Sequence, residues 1–261
     1  MLSDPTKEDS DGDGIVDARD AQPLEAFDDR FYIDSKLRPA GTAVTAIYNL
    51  QKESDERYAT KKVGDDGVSA DRLVNIATRA RLNSGALVAG MTNCVRFLNH
   101  FLNNTGNTIY YDAKKLTQKT ANGYYNYAQN MNVLRDLCES TVVDDLYFNM
   151  KYQNLLPGVQ FSDIGGDTTL EKDWWYAIGN ASATASIHCK KSGDLYTADV
   201  VYQILDFYDW EDGSEARGGF VTDGEMAILH IYGEAKEMAT VGEYTTSFNW
   251  KKGERLNTEL K

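Results

Sequence analysis

The chain has 261 residues, 42% of them hydrophobic and 11% aromatic, enough to bury one sizeable core or two small ones. Its 27 basic and 40 acidic residues leave a formal charge of −13, which repels nucleic acid and any phosphate or anionic lipid that no divalent cation bridges. No apolar run approaches a membrane span, and the start MLSDPTKEDS lacks the basic and apolar regions of a secretory signal; the chain is read as cytosolic or as a fragment of something longer.

The first feature in chain order is DSDGDGIVDARD. Asp9, Asp11, Asp13, Asp17 and Asp20 fall at loop positions 1, 3, 5, 9 and 12, with Gly14 at position 6. That is the calcium-loop pattern, in which glycine permits the sharp turn and oxygens at alternate positions converge on a hard cation. Five carboxylates in one loop repel one another unless a cation collects them. With its flanks, SDPTKEDSDGDGIVDARDAQPL resembles the calcium-binding thrombospondin type 3 repeats of secreted and surface proteins. The resemblance implies Ca2+ as cofactor, a location outside the cytoplasm (secreted or at the cell surface), and a chain that is the C-terminal part of a longer exported protein.

A calcium-binding linker over 1–34 is followed by a mainly helical region, 35–150. In SGALVAGMTNCVRFLNHFLNN, Leu87, Met91, Cys94, Leu98 and Phe101 recur at steps of four and three, one stripe of an amphipathic helix. His100, near its end, reads as a capping or surface residue. ANGYYNYAQNMNVLRDLCESTVVDDLYFNM extends the helical pattern. Asp112, after the short apolar run of NTIYYD, is a candidate site residue. The three cysteines, Cys94, Cys138 and Cys189, lack metal spacing and allow at most one disulfide; Cys94 and Cys189 read as packing residues.

The third region, 151–261, changes period. Ala181, Ala183, Ala185, Ile187 and Cys189 alternate with Ser182, Thr184, Ser186 and His188, the mark of a half-buried strand. After KKSGD, LYTADVVYQILDFYDW alternates again, predicting an antiparallel hairpin. Thr222 and Glu225 have capping-box spacing and open a helix predicted to run to about Ala239. YTTSFNW is a last strand with Tyr244, Thr246, Phe248 and Trp250 on one face. The fold class is thus α+β, a mainly helical N-terminal part followed by an antiparallel β-sheet with a packed helix. One continuous α+β domain is the alternative organisation.

Asp206 is the anomaly of the second strand, a carboxylate on a face otherwise aromatic and aliphatic, where it must be paired, metal-bound or shifted in its titration. Asp209 points the other way unless the strand end bulges. His230, on the predicted helix, shares a face with Glu234 and Glu237; carboxylate neighbours favour its protonated form and suit a general acid. Asp163 and Asp167 in FSDIGGD form a second candidate cation site.

DFYDW, preceded by WWYAIGNASATASIH and followed by a histidine, resembles the Asp-x-Tyr-Asp…His pattern of colicin M-type bacteriocins. Asp206, Tyr208, Asp209 and His230 match; Ile231 stands where that family carries arginine, a charge that Arg217 could supply. The whole chain is also similar to calcium-dependent lipid II phosphatase toxin domains exported by type VII secretion systems. These resemblances imply a metal-dependent hydrolase of the lipid II pyrophosphate linkage that blocks peptidoglycan synthesis in other bacteria. They make Asp206, Tyr208, Asp209 and His230 catalytic. Arg217, Trp174, Trp175 and Asp112 are the substrate-binding candidates, the tryptophans suiting a polyprenyl chain. The expected partners are lipid II and an immunity protein, not nucleic acid, and the expected state is a monomer. The competing readings are a calcium-stabilised adhesion module without turnover and a membrane-active toxin of another class.

Overall fold

The hairpin at the centre of the molecule follows from the alternation in its sequence. In the computed structural model, which describes residues 42–86, 91–119, 121–142, 144–149, 156, 158–161, 169–210 and 221–258, strands β4 (Asn180–Ser192) and β5 (Leu195–Tyr208) pair antiparallel from Ser182↔Leu205 to Ser192↔Leu195. Gly193 and Asp194 make the two-residue turn, with Gly193 at φ +62, a conformation that favours glycine. Strand β6 (Met238–Lys251) pairs with β5 along its whole length and places Tyr244, Thr246, Phe248 and Trp250 on one face.

The helical region supplies α1 (Thr42–Arg57), α2 (Ala70–Ala86), α3 (Thr92–Leu102), α4 (Ala113–Lys119) and α5 (Ala121–Ser140). It also contributes two strands that helical periodicity conceals. β1 (Ile109–Asp112) runs parallel to β6, and β2 (Asp145–Asn149), inside a stretch read as helical, pairs antiparallel with β4. The sheet order is β1-β6-β5-β4-β2, mixed rather than purely antiparallel, with the two-residue β3 (Val159–Gln160) pairing with the start of β4. A boundary near residue 150 therefore has no counterpart in the packing, because strands from both sides of it share one sheet.

One sheet face carries the main core. Ala183, Ala185, Ile187 and Cys189 of β4 and Tyr196, Ala198, Val200, Tyr202 and Ile204 of β5 are buried there with Phe97 and Phe101 of α3, Tyr127 and Met131 of α5 and Trp174 of α6 (Thr169–Ala177). On the opposite face Ile47 of α1 packs on Leu205, Phe207, Ala239 and Val241. This explains why β5 is half-buried only at first: its burial alternates through Val200 and is continuous over residues 202–205, where α1 covers the second face.

Two helix ends position the site. α3 has no side-chain cap of its own at Met91; instead the buried Asp173 of α6 accepts the N–H groups of Asn93 at 3.0 Å and Cys94 at 2.8 Å, placing a carboxylate at the positive helix terminus. α7 (Asp223–Ile231) has the predicted capping box between Thr222 and Glu225 but stops eight residues before Ala239. There Glu234 N–H donates to Leu229 O at 2.8 Å and Gly233 N–H to His230 O at 3.0 Å, with Gly233 at φ +74: a Schellman motif that ends the helix.

Candidate active site at the end of strand β5

Asp206 sits two residues from the end of β5, in register with Thr240. Strand alternation turns its side chain toward the main-core face, and α3 and β1 bring aromatic rings to that corner, leaving it half-buried. Its main chain is held by the sheet, with Thr240 Oγ1 donating to Asp206 O at 3.4 Å. The carboxylate acts on Tyr111 of β1, whose buried hydroxyl has no hydrogen-bond partner among the described residues: burial first, then the charge of Asp206, pushes the phenol well above its usual range. The Tyr111 ring lies over Gly242 of β6, where a Cβ would stand 2.3 Å from Cε2.

Tyr208 shares the face of Asp206. Its ring meets Phe97 at 6.2 Å, Phe101 at 6.1 Å and Trp210 at 5.4 Å between centroids, with Phe97 and Trp210 edge-on. The strand ends at Tyr208, and the chain folds back at once as Asp209 N–H donates to Phe207 O at 3.1 Å. Trp210 N–H then donates to Glu237 Oε1 at 3.2 Å. The Asp-x-Tyr-Asp segment is thus fixed at both ends, by the β6 ladder before it and by a buried carboxylate after it.

His230 is placed differently from the expectation of a general acid sharing a helix face with Glu234 and Glu237. Its side chain has 0% exposure. Nε2 donates to Ser54 O at 2.9 Å, with Ser54 Oγ at 3.4 Å, and Nδ1 accepts Glu237 N–H at 3.3 Å, so both ring nitrogens are taken up by main-chain groups. Those partners assign the proton to Nε2. Glu237, also at 0% exposure, lies 3.7 Å from Nε2 and is paired with Arg57 at 2.6 Å. A carboxylate withdrawn from water needs such partners, and here they join α1, the end of α7 and the start of β6. Glu237, 3.7 Å from His230 Nε2 and accepting the main-chain N–H of Trp210, thus links His230 to the end of the Asp-x-Tyr-Asp segment.

The remaining candidates are dispersed. Asp112 is exposed, one position beyond Tyr111 on β1, and its Oδ1 accepts Lys114 N–H at 2.9 Å at the start of α4. Trp174, expected to meet a polyprenyl chain, is interior at 2% exposure, its ring 5.1 Å from that of Tyr111. Trp175 is half-buried against Tyr176. Asp9, Asp11, Asp13, Asp17, Asp20, Asp163, Asp167 and Arg217 lie outside the described residues. Sequence reading missed Tyr111 and Ser54, which only tertiary pairing brings in, whereas it did group His230 with Glu237, 3.7 Å from Nε2. It also missed the half-exposed pair of His188 and Asp145, 2.8 Å apart on β4 and β2 with Tyr147 stacked on the imidazole.

Among the described residues no three His, Cys, Asp or Glu side chains converge to hold a metal ion, and no helix is long and apolar enough to cross a membrane. Asp206 and Asp209 are oxygen donors of the hard type that calcium takes. An open cleft of about 570 Å3 lies between α1 and the 105–108 turn, lined by Gln51, Asp55, Asn107 and Lys236 among others; Asp206, Tyr208, Asp209 and His230 do not line it. No protein-family model and no curated protein matches the chain.

Proposed function

We propose that the chain is an antibacterial toxin domain that acts outside the cytoplasm and hydrolyses the pyrophosphate linkage of lipid II or a related polyprenyl pyrophosphate. The observation that carries this reading is the half-buried carboxylate of Asp206 on an otherwise aromatic and aliphatic face, with Tyr208 and Asp209 two and three positions after it in a main chain held on both sides. Hydrolysis needs a water aligned with phosphorus and relief of the charge that builds on the non-bridging oxygens. In this reading Asp206 accepts a proton from that water and orients it, and Tyr208 donates a hydrogen bond to a phosphoryl oxygen. Calcium, when bound, would supply the positive charge that a −13 protein lacks when it meets an anionic lipid. His230 is assigned a positioning role, holding Glu237 and through it the turn after Asp209.

A second reading is favoured by the burial of His230, which removes the expected general acid from solvent: a calcium-stabilised adhesion or interaction module in which Asp206 and Asp209 serve structure alone. Growth of bacteria expressing the chain on either side of the cytoplasmic membrane separates the two. A hydrolase of lipid II arrests growth when directed outside and not when kept inside; an adhesion module is harmless on both sides.

A further inference from the structure

Outside the candidate site, two cysteines, Cys138 and Cys189, are buried in the same core cluster. Tyr127, Met131, Leu134 and Cys138 form the buried stripe of α5, which lies across the sheet face carrying Ile187 and Cys189 of β4 and Ala198, Val200 and Tyr202 of β5. Helix and strand are pinned together where Asn130 Nδ2 donates to the Tyr202 hydroxyl at 2.8 Å and the rings of Tyr127 and Tyr202 meet at 5.5 Å. A small apolar cavity of about 10 Å3 is walled by Cys138 together with Ile187, Ala198 and Val200. Ala198 is the cross-strand partner of Cys189, so Cys138 faces the strand position that bears the second thiol. The neighbouring Cys189 thiol, aided by burial, pushes the Cys138 thiol up, and Cys138 in turn lowers Cys189. Cys94 lies apart at the start of α3, bonded to Met91 O at 3.6 Å and pushed up to about 12 by burial and then by Asp173.

We propose that Cys138 and Cys189 form a disulfide that ties the last turn of α5 to β4. The oxidant is a low-molecular-weight disulfide such as oxidised glutathione. One protein thiolate attacks one of its sulfurs and releases a thiolate; the other protein thiolate then attacks the mixed disulfide at the protein sulfur and releases the second. Two protein thiols lose two electrons and two protons, and the oxidant becomes two thiols. Both protein sulfurs are buried, at 1% and 3% exposure, so the exchange takes place while the chain folds, before α5 seals the strand. The inference is independent of the proposed hydrolysis.

The test is to refold the full chain in a buffer of reduced and oxidised glutathione, alkylate it, and map its peptides without reduction. The expected product has lost the mass of two hydrogens, carries alkyl on Cys94 alone, and yields one linked peptide pair containing Cys138 and Cys189. The same link persists in Cys94→Ser, and reduction lowers the thermal midpoint by roughly 5–15 °C. Alkylation of all three cysteines, or a link that includes Cys94, overturns the proposal; because the map is made on the unaltered chain, no variant has to fold for it to be decided.

Discussion

Tyr111 keeps a hydroxyl in the interior with no partner among the described residues, next to the charge of Asp206. Removing an unpaired buried hydroxyl relieves its desolvation, so Tyr111→Phe is expected to leave stability unchanged or raise it by up to about 1 kcal/mol in urea unfolding. A loss of about 2 kcal/mol would mean that the hydroxyl is bonded. Gly242→Ala is expected to destabilise by about 1–3 kcal/mol, since its methyl would meet the Tyr111 ring at 2.3 Å and 2.6 Å. None of this was legible at residue scale in the sequence. Asp206 stands out because strand alternation assigns it a face, whereas Tyr111 acquires its role from parallel pairing with a strand more than a hundred positions away. His230 misleads for the converse reason: helical spacing groups it with Glu234 and Glu237, but the helix ends at Ile231 and tertiary packing encloses the ring.

The elements read most faithfully are those whose signals are local. The hairpin declares itself by strict alternation around Gly193, and the start of α7 by the spacing of Thr222 and Glu225. The end of α7 is lost because Ala235 and Met238 prolong the apolar period past Gly233, the residue that stops the helix. Gly233→Ala is expected to destabilise by about 1–2 kcal/mol, because alanine at φ +74 is strained and its methyl would lie 3.1 Å from Ala59 Cβ; urea unfolding measures it. α7 is clasped to α2 by Arg79, whose Nη1 reaches Glu225 Oε2 at 3.1 Å. The hydrogen bond from Arg79 holds the Glu225 carboxyl below its ordinary value, with burial opposing. A lowered folded value makes this contribution present above the unfolded value and lost as pH falls through the folded one. Glu225→Gln should therefore narrow the gap to the parent chain as thermal midpoints are followed downward from about pH 6 to about pH 3; a gap that stays constant would contradict the assignment.

At the scale of the molecule, one mixed sheet takes strands from both the helical and the strand-rich parts. The α+β class follows from periodicity, but the shared sheet does not: β1 and β2 are four and five residues long, too short for alternation to outweigh the helical pattern around them. The arrangement puts Asp206 where α3, β1 and the end of β5 meet, and that junction is what the proposed hydrolysis requires. The most direct measurement is release of the phosphorylated disaccharide-pentapeptide from purified lipid II by the full chain with calcium, comparing the parent with Asp206→Asn. Release that depends on calcium and falls at least about 100-fold in the variant, with an unchanged circular dichroism spectrum, is the expected result. No release by the parent chain, or equal release by both, would contradict it.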